Sequence, residues 1–146
     1  MITSLIALFE KSLDTLAKEI SLYPDESVLW QKEKEVNNPA GNLCLHLCGN
    51  LQHFIGAILG NTGYVRDRAM ELSAHHVPSA KLILDIQKTK EVVTNTLSKL
   101  STQSLQASYP IQVFGHEMST TYFLIHLHGH LSYHLGQISY HRRLLV

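Results

Sequence analysis

The sequence predicts an all-α fold: a four-helix bundle with a long crossover between its second and third helices. Three observations carry that expectation. Four stretches repeat apolar residues at three- and four-residue spacing, the signature of one-sided helices. No strong run alternates apolar and polar residues with the two-residue period of a strand. Two long stretches, residues 36–65 and 118–141, contain no Asp, Glu, Lys or Arg, as interior helices would. The length of 146 residues suits one domain spanning 1–146, large enough for a substantial core.

The first helix is expected over residues 3–21, where Leu5, Phe9, Leu13, Leu16 and Ile20 form a stripe and Glu10, Lys11, Asp14 and Lys18 fill the other face. Residues 22–38 hold Pro24, Trp30 and mixed charges, and read as a connection with one extra turn. The second helix is expected over 39–60, with Pro39 in its first turn, Asn38 as a candidate cap, and Asn61 with Gly63 ending it. Residues 62–78 are too long for a simple hairpin and read as a crossover. There Arg66, Asp67, Arg68 and Glu71 read as solvated loop charges, with a dimer surface or a pocket mouth as the alternative. His75 and His76, just before Pro78, read as exposed. The third helix is expected over 79–100, with Leu82, Ile86, Val93, Leu97 and Leu100 as its stripe. Residues 101–114 read as a polar loop, briefly extended at 111–114. The fourth helix is expected over 119–145.

Charged residues make up 16% and apolar residues 45%, which excludes a disordered chain. A formal net charge of +0 argues against nucleic acid as a main partner and against electrostatic membrane docking. The uncharged stretches are dotted with His, Asn, Gln, Ser, Thr and Gly, which lipid would not accept cheaply, so they read as interior helices rather than membrane spans. The N-terminus lacks a basic segment before its apolar stretch, which Glu10 and Lys11 interrupt early, so a cytoplasmic location is expected. Cys44 and Cys48, four apart on one helix, do not form a disulfide framework and fit a reducing compartment.

Histidine is the chemically informative residue: there are 10, and His126, His128, His130 and His134 crowd into the fourth helix. At 100° per residue, Leu124, Leu127, Leu131, Leu135 and Ile138 define the core stripe. His134 then lies about 60° from its centre, His130 about 100°, and His126 about 140°, facing outward. His128 lies about 60° away on the opposite flank. His130 and His134 are therefore the pair that can aim together beside the core. A zinc-like ion would need a third protein ligand. The second helix offers His46 and His53, a heptad apart with Asn50 between them, and the helical wheel does not choose between these two. Cys44 and Cys48 are a rival pair, nearer the apolar side, where packing is the expected role. Gly49, Gly56, Gly129 and Gly136 each cost about 1 kcal/mol inside a helix, so each needs a reason. Close helix packing and room beside His46 and His130 are equally good reasons.

The segment HLCGNLQHFIGAILGNTGYVRDR (46–68), together with HGHLSYHLGQISYHRRLL (128–145), resembles the DinB/YfiT-like superfamily of small bacterial proteins. The resemblance extends over most of the chain. It implies that His46, His130 and His134 bind a divalent metal, commonly nickel or zinc, and so selects His46 over His53. It implies an up-down-down-up bundle and a homodimer. It also implies metal-dependent chemistry on a small molecule, thiol transfer or hydrolysis, with a low-molecular-weight thiol as possible co-substrate. Three neutral imidazoles would leave the ion its full positive charge. Asn50, one turn from His46, and Gln137, near His134, are the candidate supporting residues. Neither histidine-bearing helix carries a carboxylate that could serve as a base. The alternative is a non-catalytic dimeric bundle that binds metal for stability or in a stress response.

Overall fold

The computed structural model describes residues 1–146. Its helices are α1 (Ile2–Ser21), α2 (Ala40–Gly60), α3 (Arg68–Ser73), α4 (Ser79–Ser98), α5 (Thr102–Gln106) and α6 (Thr120–Leu145), with a 3₁₀ turn at Glu26–Trp30 between α1 and α2. There is no strand. Two isolated bridges, Glu33 to Val36 and Ser108 to Ser119, only pin loops. The chain is therefore all-helical, with four long helices and two short ones.

The sequence periodicity explains α1 directly. Leu5, Phe9, Leu13, Leu16 and Ile20 are the buried residues of that helix. On α4 the stripe runs through Leu82, Ile86, Val93 and Leu97, and Thr89 fills the gap between Ile86 and Val93. Thr89 is tolerated there because its hydroxyl donates to Asp85 O and accepts from Gln52 Nε2, so no polar group is stranded. On α6, Leu124, Leu127, Leu131 and Ile138 are buried, with Leu135 packed at the edge of the core. Ser119 caps α6 by accepting from Tyr122 N.

The four long helices share one apolar core. α1 packs on α4 and α6, and α2 packs on the same two helices. Cross-helix pairs give the alignment. Lys90 reaches Asp14 and Thr94 reaches Glu10. Ser12 meets His128 and Arg142 meets Glu19. Gln52 meets Thr89 and a Cβ on Gly60 would meet Thr96. His46 meets His130 and Phe54 meets Phe123.

α2 explains the first uncharged stretch: every residue from Ala40 to Leu51 is buried. This helix is long and apolar enough to cross a membrane by length and composition, and its apolarity serves the interior of the fold. The second uncharged stretch is interior on one side only. α6 buries one face and exposes Tyr122, Ile125, Tyr133, Tyr140 and Leu144 on the other.

Other expectations are corrected locally. Asn38 does not cap α2; Pro39 occupies that position with no side-chain hydrogen bond. Asn61 does end the helix, in the left-handed conformation at φ 49°, with Thr62 N bonding back to Gly56 O. The crossover is not the only long connection, and it is not a bare loop, since α3 lies within it. The polar segment after α4 carries α5, and residues 111–114 form no strand. Most consequential is a π-helical stretch, Gln52–Ala57, inside α2. A wider turn shifts every later side chain around the helix axis, so a seven-residue spacing across it no longer means one face.

Candidate metal centre

α2 and α6 meet where His46, His130 and His134 converge, and one ring nitrogen from each lies within 4.8 Å of the other two. His46 Nε2 and His130 Nε2 are 3.2 Å apart. Two imidazole nitrogens sharing a tetrahedral ion at about 2.0–2.1 Å would be separated by about 3.3 Å. The three imidazoles could therefore hold a metal ion, and the donor set suits a divalent ion of intermediate softness.

The opposite ring nitrogens explain why these side chains sit as they do. His46 Nδ1 lies 3.2 Å from Glu71 Oε1, and His134 Nδ1 lies 2.6 Å from Gln137 Oε1. A carboxylate or amide oxygen behind one nitrogen holds the proton there and leaves the other lone pair free, the arrangement that orients metal-binding histidines. His130 Nδ1 is buried without any partner. Burial, then the neighbouring His134 and His46, hold the His130 imidazole down to about 4. Burial and Arg66 also lower His46, against the pull of Glu71. Both groups are thus neutral near pH 7, with lone pairs available to a metal.

Glu71 is the residue that sequence reasoning misread. It is 1% exposed rather than solvated. Arg66 binds it through two bonds of 2.9 Å, from Nε to Oε2 and from Nη2 to Oε1. A buried carboxylate needs such a partner. Gly49 makes room for it, because a Cβ at that position would run into the Glu71 carboxylate. Asn42, 2% exposed, donates to Glu71 O at 3.0 Å and Ala74 O at 2.9 Å, tying the end of α3 to α2. The legible signals were a glycine inside a buried helix three residues after His46, and a polar Asn42 in an otherwise apolar run.

The other candidates are placed as follows. Asn50 is 7% exposed and its Oδ1 has no hydrogen-bond partner, so it does not brace His46 and is not a surface amide. Gln137 does brace His134. His53 lies edge-on to Phe54, away from the cluster, because two helical turns carry it about 10 Å along the α2 axis from His46. His126 is exposed against Phe114 and Phe123, and His128 bonds Ser12 Oγ at 3.1 Å. His75 and His76 are exposed. Cys44 and Cys48 are buried, and the hydrogen bond between them, with burial, raises the Cys44 thiol, so they supply no thiolate site. Gly56 and Gly60 pack against Val92 and Thr96, the close-packing reason. Gly129 and Gly136 meet nothing within 4 Å, so neither reason applies within one chain.

Fold and cluster together define an all-helical protein with a three-histidine site that could receive a metal. More particularly, a family described as "Protein of unknown function (DUF1572)" matches residues 1–146, and the chain belongs to that family. A comparison with curated proteins gives no match.

Proposed function

We propose that the chain is a divalent-metal-binding protein of the DinB/YfiT-like superfamily, with His46, His130 and His134 as ligands and nickel or zinc as the ion. One observation carries this reading. The three nitrogens converge while the opposite nitrogens of His46 and His134 are tied to Glu71 and Gln137. That is a site with its supports already built. The order of cross-helix pairs supports an up-down-down-up bundle. As α1 is followed from Ser12 to Glu19, its α6 partners rise from His128 to Arg142, while its α4 partners fall.

The activity we propose is thiol transfer or hydrolysis of a small molecule, with a low-molecular-weight thiol as co-substrate in the first case. A bound divalent ion supplies Lewis acidity there. The chain supplies the rest. Arg66 holds the Glu71 carboxylate in place, and Glu71 accepts from His46 Nδ1 and so fixes its tautomer. Gln137 does the same for His134. Cavities of about 530 Å³ beside His134 and about 180 Å³ beside His46 and His130 give a substrate room, which favours catalysis over a closed structural site.

We further read the chain as a cytoplasmic homodimer. The exposed face of α6 carries Tyr122, Ile125, Tyr133, Tyr140 and Leu144, and Gly129 and Gly136 on that helix would let a second helix approach.

Elemental analysis of purified protein, alongside a thiol-transfer and esterase screen, tests the reading. About one divalent ion per chain and turnover that chelator removes are expected. Full metal occupancy in a His134→Ala protein would sink the ligand assignment. A large loss of melting temperature on chelation, with no turnover, would favour the non-catalytic alternative.

A further inference from the structure

We propose that the smaller cavity binds a small planar carboxylate, with the anion on Arg68 and the ring against the aromatic wall. The inference rests on the metal-site reading for its purpose, since a ligand held there would lie against His130.

Charge comes first. Two guanidinium groups, Arg66 and Arg68, border the cavity, and no carboxylate does. Arg66 is taken up by Glu71 through a paired contact. Arg68 makes no ion pair and is exposed at the rim. One free guanidinium, with its planar fork, matches one carboxylate.

Shape comes next. Phe54, Phe114, Phe123 and His126 border the same space, with Phe114 against His126 at 4.8 Å and Phe123 stacked on His126 at 18° between planes. Such walls favour a flat ring over a puckered one. A volume of about 180 Å³ admits one ring with a substituent and excludes a nucleotide or a long chain.

Asn50 supplies the third point. It borders the cavity, is 7% exposed, and its Oδ1 lacks any partner. An orphaned buried acceptor in an α-helix costs stability, and with the amide turned so that Oδ1 faces the cavity, a donor on the ligand would remove that cost. The carboxylate therefore carries a hydroxyl or amino group elsewhere on the ring.

Benzoate, benzamide, cyclohexanecarboxylate and the three hydroxybenzoates serve as probes. Each is titrated by calorimetry and amide chemical shifts into metal-free protein, and metal content is measured separately for each variant. Benzoate binds at least tenfold more tightly than benzamide or cyclohexanecarboxylate. Arg68→Gln weakens benzoate at least tenfold and leaves metal content unchanged. One hydroxybenzoate exceeds benzoate, and Asn50→Leu removes that advantage alone. Equal binding of benzoate and benzamide, or an Arg68→Gln protein that binds benzoate normally, overturns the proposal. Wild-type protein that binds benzoate but holds no metal defeats the metal reading and leaves this cavity standing. Metal binding without benzoate binding does the reverse.

Discussion

Two buried clusters on α6 use histidine in opposite ways. Near the C-terminus, His141 is 7% exposed and both ring nitrogens are satisfied, Nδ1 by Tyr23 Oη at 2.7 Å and Nε2 by Gln31 O at 2.8 Å. One helical stretch earlier, His130 keeps Nδ1 unpartnered and turns Nε2 toward another imidazole. His141 is a finished hydrogen-bond junction that ties α6 to the connection between α1 and α2, through Tyr23 and Gln31. The cluster at His130 differs, since one nitrogen of each ring faces the other imidazoles instead of a protein oxygen. The lesson is that burial does not distinguish a structural histidine from a ligand. What faces each nitrogen does.

That contrast is broken most severely if it is wrong about metal. Alanine at His46, His130 or His134 lowers metal affinity by at least 100-fold in competition titrations, whereas His141→Ala binds metal as wild type does. His141→Ala instead loses about 2 kcal/mol of stability in urea melts, because Tyr23 Oη and Gln31 O lose their partner. An equal loss of metal binding in His141→Ala would erase the distinction.

Glu71 sharpens it next. Glu71→Gln lowers metal affinity by about 10–100-fold, the usual cost of losing the group behind a ligating histidine. It also leaves the Arg66 guanidinium buried beside a neutral amide, so stability falls by roughly 3 kcal/mol. Metal saturation raises the melting temperature of wild type, about 2.7 kcal/mol at a hundredfold excess over Kd. His141→Ala keeps that increment, and His130→Ala loses it in calorimetric scans.

The effect of pH is smaller and has a definite sign. His130 sits near 4 and His46 below 6.5 in the folded chain. The unfolded chain takes up these protons first, so metal-free stability is fully present above about 6.5 and declines as pH falls toward 4. His130→Ala shows a shallower decline across that window in melts at several pH values. The smallest expected effect belongs to Gln137→Ala, a two- to tenfold loss of metal affinity, because His134 and Gln137 sit nearest solvent.

How much of this was legible in the sequence follows from what periodicity encodes. The α1 stripe was fully visible because one face meets the core and the other meets water. The pairing of His130 with His134 was visible for the same reason, as was the outward position of His126. The choice of His46 over His53 was not, since a wheel shows direction around the helix axis but not the level along it at which α6 meets α2. Glu71 left only indirect traces, Gly49 and Asn42, because its burial depends on pairing with Arg66 and on packing against a helix distant in sequence. Charged residues in a connection read as solvated until a partner is known. The exposed apolar face of α6 was masked by its lack of charge, which suggested a core helix.

The missing side chain at Gly49 has a consequence for reading related chains. A Cβ there and a carboxylate from position 71 compete for one volume. In any chain with this fold, alanine or larger at the first position predicts that the second is no longer a buried acid, and that the first histidine of the site is braced differently or not at all. Two positions 22 apart in sequence thus form a written test that needs no structure.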